Sequence, residues 1–288
     1  MAKQYYSLVA GLEELTLEAD HKGFDAVALR GEIAAELSDR DLQALRTFYA
    51  FYDVENVLAA LNGKQTHNPL GNYSAEQLAE ALAAVNQPQS ESDVELPGWM
   101  NRVLRAYKAK DEGKTDDEVD TSGSLENALW NAFYAQCAAS SNRFVREWFA
   151  FDNTLRNISA AYIARNRKWP VADQLVGDGD VVKALSQSSA ADFGLRGEIE
   201  YIESVVALLD MKNMLEKEQR LDQIRWAKAG DLTTFDYFNL NTLLAYLAKA
   251  NIIQRWTLLD RKQGEAMLSR LLAELSDKSI LQRAEAQQ

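Results

Sequence analysis

The chain has 288 residues, enough to bury a substantial core as one large body or as two to three smaller subdomains. Its net charge of −12 argues against a nucleic-acid partner, because phosphates demand a basic surface, and it disfavours direct docking on anionic lipid heads. Only 4 prolines and 14 glycines interrupt a composition rich in helix-forming residues, which predicts helix nearly throughout.

The first long helix is predicted to begin near Ser38, where a capping serine precedes apolar residues at helical spacing. Asn62-Gly63 should end this helix with a left-handed residue. Ser74 should cap a short helix through Val85, and Trp99 marks the next helix after a polar loop.

Segment 111–123 is dense in charge and has almost no apolar residue, so it should form a mobile acidic loop. From Ser124 to about Arg167 the pattern predicts one long helix or two stacked ones, with Ser140-Ser141 as the candidate bend. Trp169-Pro170 should end this stretch, because proline disfavours helix at the preceding residue.

Short helical pieces are predicted for 171–195, because three glycines interrupt this segment: Gly177, Gly179 and Gly194. A long amphipathic helix should follow from Glu198 to Lys228, ended by Gly230. The last helix is predicted from Asp260 to about Lys278. Strand periodicity is absent apart from an ambiguous stretch from Tyr5 to Val9, so we expect an all-α protein.

One short pattern occurs three times: an asparagine, three residues, an alanine, a bulky apolar residue, one further residue, Ala or Gly, and then Lys or Arg. Each copy follows a cluster of aromatic residues. Self-similarity spread over a chain implies one structural unit used several times. We favour helix packing over direct partner contact as its role, so the alanines should lie at close helix–helix contacts. The repeat residues are Asn56, Ala60, Asn157, Ala161, Tyr162, Asn241, Ala245 and Tyr246.

The repeat predicts three related helical subdomains, arranged with pseudo-threefold symmetry around a shared axis or cavity like a funnel or socket. The first subdomain should span 1–110, the middle one 124–195 and the third 196–288, with the acidic loop 111–123 after the first. These boundaries follow the breaks in helical pattern described above.

The sequence contains no recognisable catalytic, cofactor-binding or metal-binding motif. His21 and His67 lack the spacing of metal ligands, and no glycine-rich phosphate loop is present. Residues 177–180 read G-D-G-D, but calcium loops need alternating oxygen ligands, so we favour a turn followed by an Asp180 helix cap. Cys137 lies in an apolar helix and should be a buried, inert thiol. We therefore predict a protein that is not an enzyme and has no cofactor.

Location in the cell is indicated by two further features. A single cysteine allows no intramolecular disulfide and suits a reducing compartment. Residues 1–10 carry one charge and an apolar run too short for a signal peptide, and no stretch approaches the roughly eighteen apolar residues of a membrane span. We therefore expect a soluble, cytoplasmic protein.

The first copy of the repeat extends, from Asp53 to Lys64, as D-V-E-N-V-L-A-A-L-N-G-K. It resembles the D-x-x-N-[ILV] helix followed by a terminal Lys in the C-type subunits of V/A-type rotary ATPases, which are called d-type in eukaryotes. The second copy resembles the same element in the middle domain of that family. The residues of the second copy that carry this resemblance are Asp152, Asn157, Ile158 and Arg165.

The third copy resembles the A-Y-L-x-K-E-x-E-I-x-N-[IL] segment of the same family. The matching residues are Ala245, Tyr246, Leu247, Lys249 and Ile253. Ala250 and Ile252 stand where the family has acids, and Trp256 replaces a smaller apolar residue, so contacts made by those acids do not carry over. The opening, Tyr5 to Leu12, is similar to the start of a divergent bacterial group found beside the other components of V-type ATPases.

The resemblance implies a non-catalytic coupling subunit that is peripheral on the cytoplasmic face of the membrane. It would link the central-shaft subunits to the membrane rotor ring without inserting into the membrane, and members of the family are built from three similar helical domains. It does not identify the partner-binding residues. Two alternatives stay open: an unrelated cytosolic helical scaffold or regulatory protein, and an enzyme with an acid-lined cleft.

Overall fold

The computed structural model describes residues 3–17, 23–86, 93–114 and 119–259, and these residues form helices, turns and loops without any strand. The all-α prediction is confirmed for this part of the chain. The α-helices are α1 Tyr6–Ala10, α2 Ala26–Glu36, α3 Asp39–Leu61, α4 Ala75–Asn86, α5 Gly98–Asp111, α6 Leu125–Ala138, α7 Arg143–Arg167, α8 Asp180–Gln187, α9 Ile202–Leu209, α10 Met214–Asp231 and α11, helical over 240–259, with a 3₁₀ turn at Ala172–Gln174.

Polar caps start several helices where the sequence predicted them. The hydroxyl of Ser38 accepts from the backbone N–H of Asp41 at the start of α3, and Gly63 has a φ of 68° just beyond its end. Ser74 and Gln77 bond reciprocally before α4, side chain to backbone, at 2.9 and 3.2 Å. This is a capping box, which satisfies two backbone donors at once.

The stretch from Ser124 to Arg167 forms two helices rather than one. Residues 139–142 separate α6 from α7, and the side chain of Asn142 caps α7 by accepting from the N–H of Val145 at 2.9 Å. The left-handed residue Lys168, with a φ of 57°, ends α7 just before Trp169-Pro170, as predicted.

The stretch from Tyr5 to Val9, which the sequence left ambiguous, lies largely in helix α1. Two local predictions are wrong. The helix predicted from Glu198 to Lys228 is broken at 210–213, because Asn213 caps a new helix and Lys217 Nζ donates to the carbonyl of Leu209 at 2.9 Å. Helix α10 also runs past Gly230 to Asp231.

The capping role predicted for Asp180 is wrong as well. Gly179 is the N-cap of α8, and Asp180 is its first helical residue, where the carboxylate accepts from Lys183 Nζ at 3.3 Å. A carboxylate in the first turn still interacts favourably with the helix dipole.

Some predictions concern residues outside the described part of the chain. They are the central positions 115–118 of the acidic loop, positions 87–92 of the polar loop before α5, His21, and the last helix, predicted from Asp260 to Lys278.

The core is centred on α7, which packs against α6, α8 and α9, while α3 packs on α6 and α7. Aromatic rings fill the space where α3, α6 and α7 meet. The ring centroids of Phe133 and Phe149 lie 4.8 Å apart, and those of Phe48 and Phe149 lie 5.5 Å apart. Such rings are densely packed and hold the three helices in fixed relation. Within the described residues, no helix is both long and apolar enough to cross a membrane.

Candidate functional site

The first two repeat asparagines make the same unusual contact. Asn56 of α3 donates from Nδ2 to the carbonyl of Asn68 at 2.9 Å, and its Oδ1 accepts from the N–H of that residue at 2.7 Å. Asn157 of α7 makes the same pair of bonds with Val176: its Nδ2 donates to the carbonyl at 2.8 Å, and its Oδ1 accepts from the N–H at 2.9 Å. Each side chain thus satisfies both backbone groups of one residue in the loop that returns along its helix. We call these pairs the asparagine clamps.

The clamp on α3 has a second layer. Asp53 accepts from the backbone N–H and the side-chain Nδ2 of Asn72, both at 2.6 Å. Between these contacts lies Gly71, where an added Cβ would stand 2.8 Å from Asn56 Nδ2 and from Asp53 Oδ1. The close approach of loop and helix therefore requires glycine at this position.

The third copy does not form a clamp. Asn241 lies in the first turn of α11, where its Oδ1 accepts from Asn142 Nδ2 at 3.0 Å and its Nδ2 donates to Asp236 at 3.2 Å. These bonds tie the start of α11 to the start of α7 instead of holding a return loop. The pattern therefore marks equivalent environments in the first two copies and a different one in the third.

The repeat alanines also differ. Ala161 and Ala245 are buried, as a packing role requires, but Ala60 is exposed, so the predicted helix–helix contact is wrong for Ala60. The reason is that α3 is in its last turn there, one residue before its end at Leu61. Tyr162 and Tyr246 are half-buried.

A cavity of about 570 Å³ opens where α3, α7, α10 and α11 converge. We call it the junction cavity. Part of its wall is aromatic, formed by Phe48, Phe51, Tyr52, Trp148 and Phe149. The ionisable residues in its lining are Glu55, His67, Asp152, Asp222, Arg225 and Arg255. Concave sites with apolar walls and a few convergent polar groups are the usual places for ligands.

Asp222 and two arginines form a self-contained network on one side of this cavity. The Asp222 carboxylate is 1% exposed, and it accepts from Arg225 Nη1 at 2.8 Å and from Trp256 Nε1 at 2.8 Å. It also accepts from Arg255, whose other nitrogen lies 3.2 Å from Glu218. A buried carboxylate paired this fully has a structural role, which here is to join α10 to α11.

Glu55 and Asp152 are in a different position. Neither carboxylate forms an ion pair with a described residue, and Asp152 accepts one hydrogen bond, from the Tyr134 hydroxyl at 2.7 Å. The Glu55 side chain is open to water, but the cavity walls reduce its solvation. This loss of solvation, and next the negative charge of Asp152, raise the pKa of Glu55 to about 7 against the opposing pull of Arg156 and Arg255.

Sequence reasoning did not single out Glu55, although one signal was available. Phe48, Tyr52, Glu55 and Ala59 are spaced by four, three and four residues and all line the cavity. They therefore form one helical stripe, on which Glu55 is the only charged residue. An acid on an otherwise apolar helical stripe indicates a buried network or a binding site.

Neither a metal site nor a reactive thiol is found among the described residues. They contain no group of three or more His, Cys, Asp and Glu side chains placed to hold a metal ion. Cys137 is 1% exposed, and burial raises the pKa of its thiol, which keeps it protonated and unreactive.

Comparison with known proteins gives one result. No curated protein and no solved structure matches the chain significantly. A family model described as a protein of unknown function, DUF2764, matches residues 1–279. Because this match covers nearly the whole sequence, the chain belongs to the DUF2764 family.

Proposed function

We propose that this protein is a non-catalytic coupling subunit of a V/A-type rotary ATPase, linking the central shaft to the membrane rotor ring on the cytoplasmic face of the membrane. One observation carries the proposal: the three helices that bear the repeat, α3, α7 and α11, all contribute to the wall of one cavity. A cavity of about 570 Å³ has room for side chains at the end of a shaft. The C-type subunits, which the repeat resembles, are proteins that receive a shaft.

The packing supports a mechanical role. A piece that transmits torque must deform little, and dense aromatic packing between α3, α6 and α7 resists deformation. The clamps at Asn56 and Asn157 hold the return loops to the same helices. The net charge of −12 suits basic partner surfaces, because complementary charge orients an encounter and speeds it.

An enzyme with an acid-lined cleft is the second candidate, and Glu55 is the observation in its favour. A carboxyl whose pKa is about 7 can act as a general acid or base near neutral pH. Catalysis also requires groups that bind and orient a substrate, and the two arginines of the cavity are already bonded to Asp222. We therefore place this candidate behind the coupling subunit.

Titration of the purified chain with purified shaft subunits tests the proposal. We expect binding at low salt that weakens above about 0.15 M, where the screening length falls below about 8 Å. The chain alone should show no hydrolytic turnover. Absence of binding at low salt, with folded partners, would contradict the coupling role and leave an unrelated helical scaffold as the better explanation.

A further inference from the structure

We propose that the junction cavity binds an organic cation, an alkylammonium or guanidinium group, between the carboxylates of Glu55 and Asp152. The proposal concerns the chemistry of the cavity and stands whether or not the chain works in a rotary ATPase.

Among the residues that the structure describes, the charges around the cavity leave two carboxylates without an ion-pair partner. The lining contains three carboxylates and two guanidinium groups, and both guanidinium groups are bonded to the same carboxylate, Asp222. On α7, the guanidinium of Arg156 bonds to Glu126 at 3.2 Å and lies 4.4 Å from the Trp130 ring centroid. Glu55 and Asp152 are thus left as the carboxylates available to a ligand.

The size and walls of the cavity favour an organic cation over a metal ion. A volume of about 570 Å³ lies within the roughly 300–1,000 Å³ range of ligand pockets and far exceeds the space of one ion. Phe51 and Trp148 line the same cavity, one helical turn before Glu55 and Asp152, and aromatic faces attract cations while accommodating methylene groups. Two carboxylates with an aromatic wall lack the further ligands that a metal ion requires.

An anionic ligand fits the site poorly. Arg225 and Arg255 are both paired with Asp222, and Arg255 also with Glu218, so much of their positive charge is already neutralised. Such an anion would also lie near Glu55 and Asp152, whose charges repel it.

The test uses agmatine, a guanidinium joined to an ammonium by a short methylene chain, titrated calorimetrically into the full chain at pH 8. Glu55 is ionised at this pH, because its pKa is about 7. We expect Glu55→Gln and Asp152→Asn each to weaken agmatine binding roughly tenfold, since each removes one charge-assisted contact. The exposed acids Glu200 and Asp178 supply matched controls, Glu200→Gln and Asp178→Asn, which should bind agmatine as the wild type does.

Two results would overturn the proposal: equal agmatine binding by the cavity variants and the wild type, or equal binding of butylurea, an uncharged analogue. Circular dichroism confirms that each variant is folded. A second arm identifies the source of the cation. If saturating agmatine displaces the shaft subunits, the natural ligand is a basic side chain of a partner, and if shaft binding is unchanged, it is a free amine. If the shaft subunits never bind, the coupling role fails while the agmatine result stands.

Discussion

Glu55 and Asn56 are neighbours in helix α3, but their polar groups are used in opposite ways. Asn56 satisfies both backbone groups of Asn68, and Asp53 supports it one turn earlier. Glu55 faces the junction cavity without an ion pair among the described residues, and its pKa is raised to about 7. The clamp therefore stabilises the fold, whereas the cavity carboxylate reduces its stability. The proposed cation site would give this carboxylate a role in binding that offsets its cost in stability.

Removal of the asparagine clamp on α7 should lower the free energy of unfolding more than any other substitution proposed below. Asn157→Ala would leave the buried N–H of Val176 unpaired and its C=O with only the 3.4 Å bond from Asn153 Nδ2, and we expect the free energy of unfolding to fall by about 2–3 kcal/mol. Urea unfolding measures it. Asn241→Ala is the comparison, because that side chain bonds to two half-buried side chains and its loss should cost about 1 kcal/mol. Equal losses would show that the clamp is not special.

A substitution at Gly71 tests how closely the return loop approaches helix α3 at its asparagine clamp. Gly71→Ala would place a Cβ 2.8 Å from Asn56 and Asp53, and we expect a loss of about 1–3 kcal/mol in thermal or urea unfolding. Gly31→Ala is a matched control inside α2, where nothing lies within 4 Å and stability should rise slightly. A Gly71→Ala variant as stable as the wild type would contradict the described approach of loop and helix.

Substitutions at a buried and at an exposed repeat alanine test whether the repeat has a packing role. Ala245→Leu enlarges a residue that is 5% exposed and should cost about 1–3 kcal/mol, because a packed helix contact has no room for the added atoms. Ala60→Leu makes the same change at an exposed position and should leave the melting temperature nearly unchanged. If both variants melt alike, the repeat alanines have no packing role.

Glu55→Gln should raise the stability of the fold, whereas the substitutions above that remove a clamp or disturb packing lower it. The pKa of Glu55 is about 7 in the folded chain and about 4.3 when unfolded, so the wild type loses stability as the pH rises from about 4.3 to about 7, and the full loss is present above pH 7. Because water reaches the side chain, we discount the effect and expect Glu55→Gln to be more stable by about 1 kcal/mol at pH 8. As the pH falls from 7 toward 4.3, the wild type gains stability and the difference disappears. Urea unfolding at pH 8 and pH 5 measures this trend.

Local features were predictable from the sequence, and long-range ones were not. Ser38 and the Ser74–Gln77 pair act through neighbouring residues, so their caps could be predicted from spacing alone. The repeat identified Asn56 and Asn157, but their partners lie in loops 12 and 19 residues away along the chain. The periodicity of a helix does not predict a contact between that helix and a distant loop.

The sequence suggested a shared cavity, but the residues that line the junction cavity could not be predicted, for the same physical reason. Its walls come from α3, α7, α10 and α11, which are distant in the chain and meet only through the packed core. The break between α9 and α10 was not predicted because the apolar spacing continues across 210–213. The helix ends there because Asn213 caps α10 and Lys217 Nζ bonds to the carbonyl of Leu209.

The most direct test of the central claim, that Glu55 serves cation binding at a cost in stability, is a thermal melt at pH 8 with and without agmatine. Binding to the folded state raises the melting temperature, and the rise grows with the logarithm of the ligand concentration above Kd. We predict that agmatine raises the melting temperature of the wild type, whereas Glu55→Gln melts higher without ligand and gains less from it. A Glu55→Gln variant that melts below the wild type and gains as much from agmatine would contradict the claim.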